Sequence, residues 1–87
     1  MAAYHVYVIK SISHNYIYVG ITDNPDRRIH AHNQGYSRTT KPYRPFRVIL
    51  TEVFASRPEA RKREIELKTG AGKAFLRKLA HETESRD

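Results

Sequence analysis

Residues 16–33, YIYVGITDNPDRRIHAHN, constrain this chain more than any other stretch, because a strand pattern there runs straight into a helix start. Tyr16, Tyr18, Gly20 and Thr22 alternate with Ile17, Val19 and Ile21, the period of two that gives a strand one apolar face. Asn24 then offers a side-chain cap, Pro25 suits the first helical position and Asp26 favours the positive end of the helix dipole. A short helix over residues 25–33 is the expectation. Arg28 and His32 lie four residues apart on it and share a face, so a permanent cation and a titratable imidazole converge beside the strand's end. Such a pair suits phosphate chemistry. Gly20 puts no side chain inside the strand, which marks a bulge or a close approach. Substrate backbone and the following helix are equal candidates to fill that space.

The remaining elements supply a small scaffold for this unit. In residues 3–10, Tyr4, Val6 and Val8 take one side of a strand and His5, Tyr7 and Ile9 the other, with both sides partly buried. The short polar segment 11–15 then returns the chain as a hairpin, which sets Tyr7 and Tyr18 on neighbouring strands. Taken alone, Tyr4, Tyr7, Tyr16 and Tyr18 read as strand tyrosines with buried rings and wet hydroxyls. Residues 46–54 give a third strand. Ser56 and Glu59 form a capping box for a helix that runs to Thr69 and ends at Gly70. Phe75, Leu76, Leu79 and Ala80 predict a final helix over residues 73–81, and residues 82–87 read as a polar tail. The fold class is therefore α/β of the α+β kind: a small three-stranded antiparallel sheet flanked by about three helices, in one domain over residues 1–81. Eighty-seven residues allow one modest core and exclude a second.

Two further features bear on function. Ala60, Glu64 and Leu67 follow an i, i+4, i+7 spacing, which places a carboxylate on the apolar stripe of its helix. That carboxylate needs a partner, either a divalent metal or an ion pair with Arg61, Lys68 or Arg28. The segment NQGYSRTTKPYR, residues 33–44, reads as a loop in which Arg38, Lys41 and Arg44 alternate with Tyr36 and Tyr43. Cations there can meet phosphates while rings stack on bases, although a solvated basic loop explains the composition equally well. Sixteen Lys and Arg against nine Asp and Glu give +7, which favours a polyanionic partner. The lack of cysteine excludes a disulfide framework and a thiolate zinc site, and fits a cytoplasmic setting. No segment approaches the ~18 consecutive apolar residues of a membrane span, so no membrane partner is expected.

Tyr7 in His5-Val6-Tyr7, the triplet Tyr18-Val19-Gly20, and then Arg28 and His32 resemble the GIY-YIG nuclease family. The resemblance continues through Gly35, the basic segment from Ser37 to Lys41, and the run from Glu59 to Lys68. It covers roughly residues 4 to 80 and is to the small stand-alone members. The first triplet departs from Gly-Ile-Tyr, but only its tyrosine carries chemistry.

The resemblance implies a metal-dependent endonuclease that hydrolyses phosphodiester bonds in single-stranded or structured DNA, with RNA not excluded, in repair or recombination. It implies catalytic roles for Tyr7, Tyr18, Arg28, His32 and Glu64. Glu64 would hold one Mg²⁺ or Mn²⁺ ion, Arg28 would grip a nonbridging phosphate oxygen, and Tyr18 would activate water with help from His32. Tyr7 would orient water or phosphate. Arg27, Tyr36, Arg38, Lys41, Arg44 and Lys68 are the expected nucleic-acid contacts, and a protein partner supplying specificity is compatible with this plan. Two other classes compete: a catalytically idle nucleic-acid-binding domain, and a basic interaction module for an acidic protein.

Overall fold

Val6, Tyr7, Val8 and Ile9 are at most 1% exposed, and a strand with four consecutive buried residues needs cover on both of its faces. The computed structural model, which describes residues 3–84, supplies that cover. Strand β1 (Tyr4–Ser11) is central in a three-stranded antiparallel sheet of order β2-β1-β3, with β2 (Ile17–Thr22) and β3 (Phe46–Phe54) at the edges. One face carries Val6, Val8, Val19 and Ile49 and packs against helices α2 (Arg57–Leu67) and α3 (Gly70–Glu84) through Ala60, Leu67, Leu76 and Ala80. The other face carries Tyr7, Ile9 and Phe46 and receives Ile29 of helix α1 (Pro25–Gln34) and Tyr43 of a 3₁₀ turn at Lys41–Tyr43. The expected α+β class and sheet are what the structure shows.

Local chemistry accounts for the element ends. Asn24 caps α1, its side chain accepting from the Arg27 N–H at 3.1 Å, and Pro25 stands in the first turn. Gly35 closes α1 at φ 81°, the left-handed conformation that glycine adopts freely. Ser56 caps α2 by accepting from the Glu59 N–H, but the Glu59 carboxylate takes the Ser56 hydroxyl at 2.9 Å rather than reaching the backbone. At the α2–α3 junction the structure corrects the sequence reading. Helix α2 stops at Leu67, and Gly70 opens α3 instead of ending α2. Thr69 is the cause: its hydroxyl accepts from the Gly72 N–H at 3.1 Å and so acts as a cap for a new helix. Gly72 is required there, because a Cβ would sit 2.3 Å from the Glu66 carbonyl oxygen.

Helix α3 also runs beyond the expected end at residue 81, to Glu84. Arg47 of β3 holds it there, donating to the Ala80 carbonyl and the Thr83 hydroxyl at 2.7 Å each and facing Glu84 at 3.8 Å. Residues 82–84 of the expected tail are thus helical, and residues 85–87 lie outside the described residues.

Candidate active site

Tyr7 stands opposite Gly20 in the β1–β2 register, and Ile9 stands opposite Tyr18. The two tyrosines are therefore diagonal neighbours on the α1 face, with ring centroids 6.1 Å apart. Gly20 lets the Tyr7 ring lean toward the open edge of the sheet. A Cβ at that position would lie 2.5 Å from the Tyr7 hydroxyl oxygen and 2.6 Å from Cζ. Neither substrate backbone nor the following helix takes the space above Gly20; the Tyr7 ring does.

Behind the ring, the Tyr7 hydroxyl is 2.8 Å from His32 Nε2, and His32 Nδ1 is 2.7 Å from the Thr40 hydroxyl. His32 and Thr40 are fully buried and Tyr7 is nearly so. Burial pushes Tyr7 up to about 12, against the opposing pull of the Arg28 guanidinium beside it. Burial, and then the Arg28 charge, hold His32 below the usual histidine range. Both groups are neutral near pH 7. A neutral imidazole has one donor and one acceptor nitrogen, so the chain runs head to tail in one of two directions. Either Tyr7 donates to His32 and His32 to Thr40, or both bonds are reversed.

Around the edge of β2 opens a cleft of about 520 Å³. Tyr7, Tyr18, Gly20 and Arg28 line one side, and Arg57, Arg61 and Glu64 of α2 line the other. Glu64 is 7% exposed, and each carboxylate oxygen has a cation: Arg61 on Oε1 and Lys68 on Oε2, the latter at 3.1 Å. The ion-pair alternative for Glu64 is therefore realised with Arg61 and Lys68, and Arg28 has no part in it. The metal alternative survives this geometry. The Arg61 and Lys68 side chains are 62% and 51% exposed, so each can swing into solvent at small cost. Among the described residues no group of three or more His, Cys, Asp or Glu gathers. The donor set thus suits a cation that keeps most of its water and takes one carboxylate, as Mg²⁺ does, and does not suit a closed protein cage.

The expected residues fall into two groups. Tyr7, Tyr18, Arg28 and Glu64 come together in the cleft. His32 does not reach it, and it bonds Tyr7 rather than the Tyr18 hydroxyl it was expected to assist. Residues four apart on a helix share an azimuth but not a depth, and here Arg28 is exposed whereas His32 sits under a ring. Lys68 adjoins the site through Glu64. Arg27, Tyr36, Arg38, Lys41 and Arg44 do not line the cleft. Arg27 faces Asp23 at 3.6 Å, and Arg44 folds over Gly35 to donate to the Gln34 carbonyl. Tyr43 stacks on Tyr16 at 4.0 Å, so it is no free platform, while Tyr36 is 77% exposed. Arg57 and Thr40 were not anticipated, and Arg61 was expected only as an ion-pair partner of Glu64, not as a residue of the cleft wall. The spacing 57, 61, 64, 68 places both arginines on the Glu64 face of α2, a signal present in the sequence; Thr40 carries none.

The chain matches the GIY-YIG catalytic domain over residues 3–78. It belongs to the GIY-YIG nuclease family. A UPF0213 protein of Staphylococcus haemolyticus is 41% identical over 70 residues, covering 79% of this chain and 84% of that one. One from Staphylococcus aureus is 33% identical over 78 residues, covering 88% and 94%. The solution structure of the UPF0213 protein BH0048 from Bacillus halodurans is similar at a TM-score of 0.53 and 32% identity, covering 88% of this chain and 84% of that one. These relatives are small stand-alone GIY-YIG proteins. The two family triplets are here the adjacent segments of β1 and β2 that bring Tyr7 and Tyr18 together. Among the described residues no helix is long and apolar enough to cross a membrane.

Proposed function

We propose that this GIY-YIG protein is a divalent-metal-dependent endonuclease that hydrolyses phosphodiester bonds in DNA. The observation that carries the reading is one cleft that gathers Tyr7, Tyr18, Arg28 and Glu64 from four elements. Glu64 is the residue to hold one Mg²⁺ or Mn²⁺ ion, which when bound would supply positive charge to the phosphate and acidify water. Arg28 grips a nonbridging phosphate oxygen and stays charged throughout. Tyr18, at the lip of the cleft, takes the proton of the attacking water. Tyr7, with its proton held firmly, orients water or phosphate as a neutral hydroxyl. His32 positions Tyr7 and touches no substrate. Arg57 and Arg61 add charge for the flanking phosphates. Exposed Tyr36, Arg38 and Lys41 serve as more distant contacts. A role in DNA repair or recombination in the cytoplasm, with a partner protein adding specificity, is consistent with this chemistry.

One observation favours a second reading. Both Glu64 oxygens already have cationic partners, as expected of a structural carboxylate in an idle nucleic-acid-binding domain. A panel of labelled single-stranded, duplex and branched DNA, with RNA counterparts, incubated with Mg²⁺, with Mn²⁺ and with EDTA, separates the two. Cleavage that requires metal and fails in Tyr18→Phe supports the nuclease. Binding without cleavage under every condition supports the idle domain.

A further inference from the structure

A second hollow, about 340 Å³ in volume, opens on the same edge of β2 toward α3. Its floor is apolar, made by Ile17, Val19, Leu67 and Leu76, and its rim is cationic, made by Lys68, Lys73 and Arg77. Tyr18 and Lys68 tie it to the cleft: Tyr18 lines both spaces, and Lys68 contacts Glu64 across the divide. The sheet adds polar groups. The Ser11 N–H donates to the Tyr16 carbonyl at 2.9 Å, which sets the phase of the β1–β2 ladder. Alternation then turns the backbone N–H and C=O groups of Ile17 and Val19 outward, along the open edge that borders the hollow. An apolar slot of this volume, with an adjacent donor–acceptor backbone row and a cationic rim, has the make-up of a site for a flat heterocycle that carries a phosphate.

We propose that this hollow seats one unpaired nucleobase of the substrate strand, next to the phosphate held in the cleft. The proposal rests on the nuclease reading. The base lies between β2 and α3 against Leu67 and Leu76, its polar edge meets the Ile17 and Val19 backbone, and its phosphate meets Lys73 and Arg77. A base held in a duplex cannot enter. The substrate is therefore a strand that is single or locally unpaired beside the scissile bond, and Tyr18 stands between the base and that bond.

The test is binding by fluorescence anisotropy with the full chain in EDTA, so that nothing is cut. Three probes are compared: a short labelled DNA single strand, its blunt duplex, and the same strand with abasic central nucleotides. The single strand should bind about tenfold or more tighter than either of the others, since seating a base contributes on that scale. Lys73→Gln with Arg77→Gln, both exposed positions, should reduce single-strand affinity about tenfold and leave duplex affinity nearly unchanged. Equal affinity for single strand and abasic strand overturns the proposal with wild-type protein alone, whatever the variants do. Equal loss on all three probes in the variants also overturns it. Preference for the unpaired base with no cleavage in Mg²⁺ or Mn²⁺ keeps the hollow and removes the nuclease reading. Cleavage without that preference does the opposite.

Discussion

Glu64→Gln separates catalysis from stability more sharply than any other substitution, and the structure sets the size of both effects. The amide keeps the shape of the side chain and removes its charge; its oxygen can still accept from one of Arg61 and Lys68, while its NH₂ group only donates, so the other cation turns to solvent. Those partners are 62% and 51% exposed and screened by solvent, so each ion pair is worth about 0.5 kcal/mol at most. Removing the charge also relieves the desolvation of a carboxylate that is only 7% exposed, which offsets part of that loss. The net change in stability should stay within about 1 kcal/mol, or roughly 4–8 °C in Tm for a domain of this size. Activity should fall much further, since Glu64 is the only acidic side chain among the described residues that line the cleft. Loss of one stabiliser of the transition state costs about 3 kcal/mol, or roughly a hundredfold in rate. Single-turnover cleavage at saturating protein, with thermal melting in parallel, reads both. A folded Glu64→Gln protein that cuts at the wild-type rate refutes the assignment of Glu64 and hands the site to the idle-domain reading. Arg61→Gln completes the argument, because it frees Oε1 and should lower the Mn²⁺ concentration at half-maximal rate.

Gly20→Ala should destabilise by about 1–3 kcal/mol, because its methyl would overlap a Tyr7 ring that His32 holds in place; a urea titration measures it. Unfolded His32 titrates near 6.5 and folded His32 lower, so below about pH 6.5 the unfolded chain binds the extra proton and stability falls until the folded pKa is reached. The loss is up to about 1.4 kcal/mol per pH unit, and His32→Gln should remove it; equal acid sensitivity in both proteins, compared by urea midpoints on either side of that pH, would exclude His32 as its source. Lys41→Ala should reduce the slope of log affinity against log salt by about 0.7–0.9 and leave turnover at saturation intact; an unchanged slope in a salt titration refutes a phosphate contact by Lys41.

Elements set by local chemistry were legible in the sequence, and elements set by distant contacts were not. The alternation from Tyr16 to Thr22, the Asn24-Pro25 start and the Ser56 cap each depend on residues within a turn of one another, and each appears where it was read. Gly70 was misread because a glycine after a helix is commonly a stop, and the competing signal, the Thr69 hydroxyl, is a weaker cap residue. The end of α3 is held by Arg47, more than thirty residues away, and no local pattern encodes that. In the site, the spacing of Arg28 and His32 gave their shared azimuth, whereas the depth of His32 depends on a ring from β1 and on Thr40. Tyr43 and Arg44 counted as loop residues because nothing nearby shows that Tyr16 stacks on one and Gly35 lies beneath the other.

The strand order explains how one cleft can use side chains from both faces of a sheet. Tyr7 and Tyr18 lie on the α1 face, and α2, which carries Glu64, packs on the opposite face. A central strand would have a neighbour on each side and would keep these groups apart. Because β2 is an edge, Glu64, Arg57 and Arg61 can reach around it, and Gly20 leaves room for Tyr7 to lean toward them. An open edge also has unpaired backbone groups that invite a strand from a second molecule. Arg28, Arg57, Arg61 and Lys68 crowd this one, and two copies brought edge to edge would set those cations against each other. On the nuclease reading, the charge that would draw a phosphate backbone to the edge of β2 would therefore also keep that edge free to receive it.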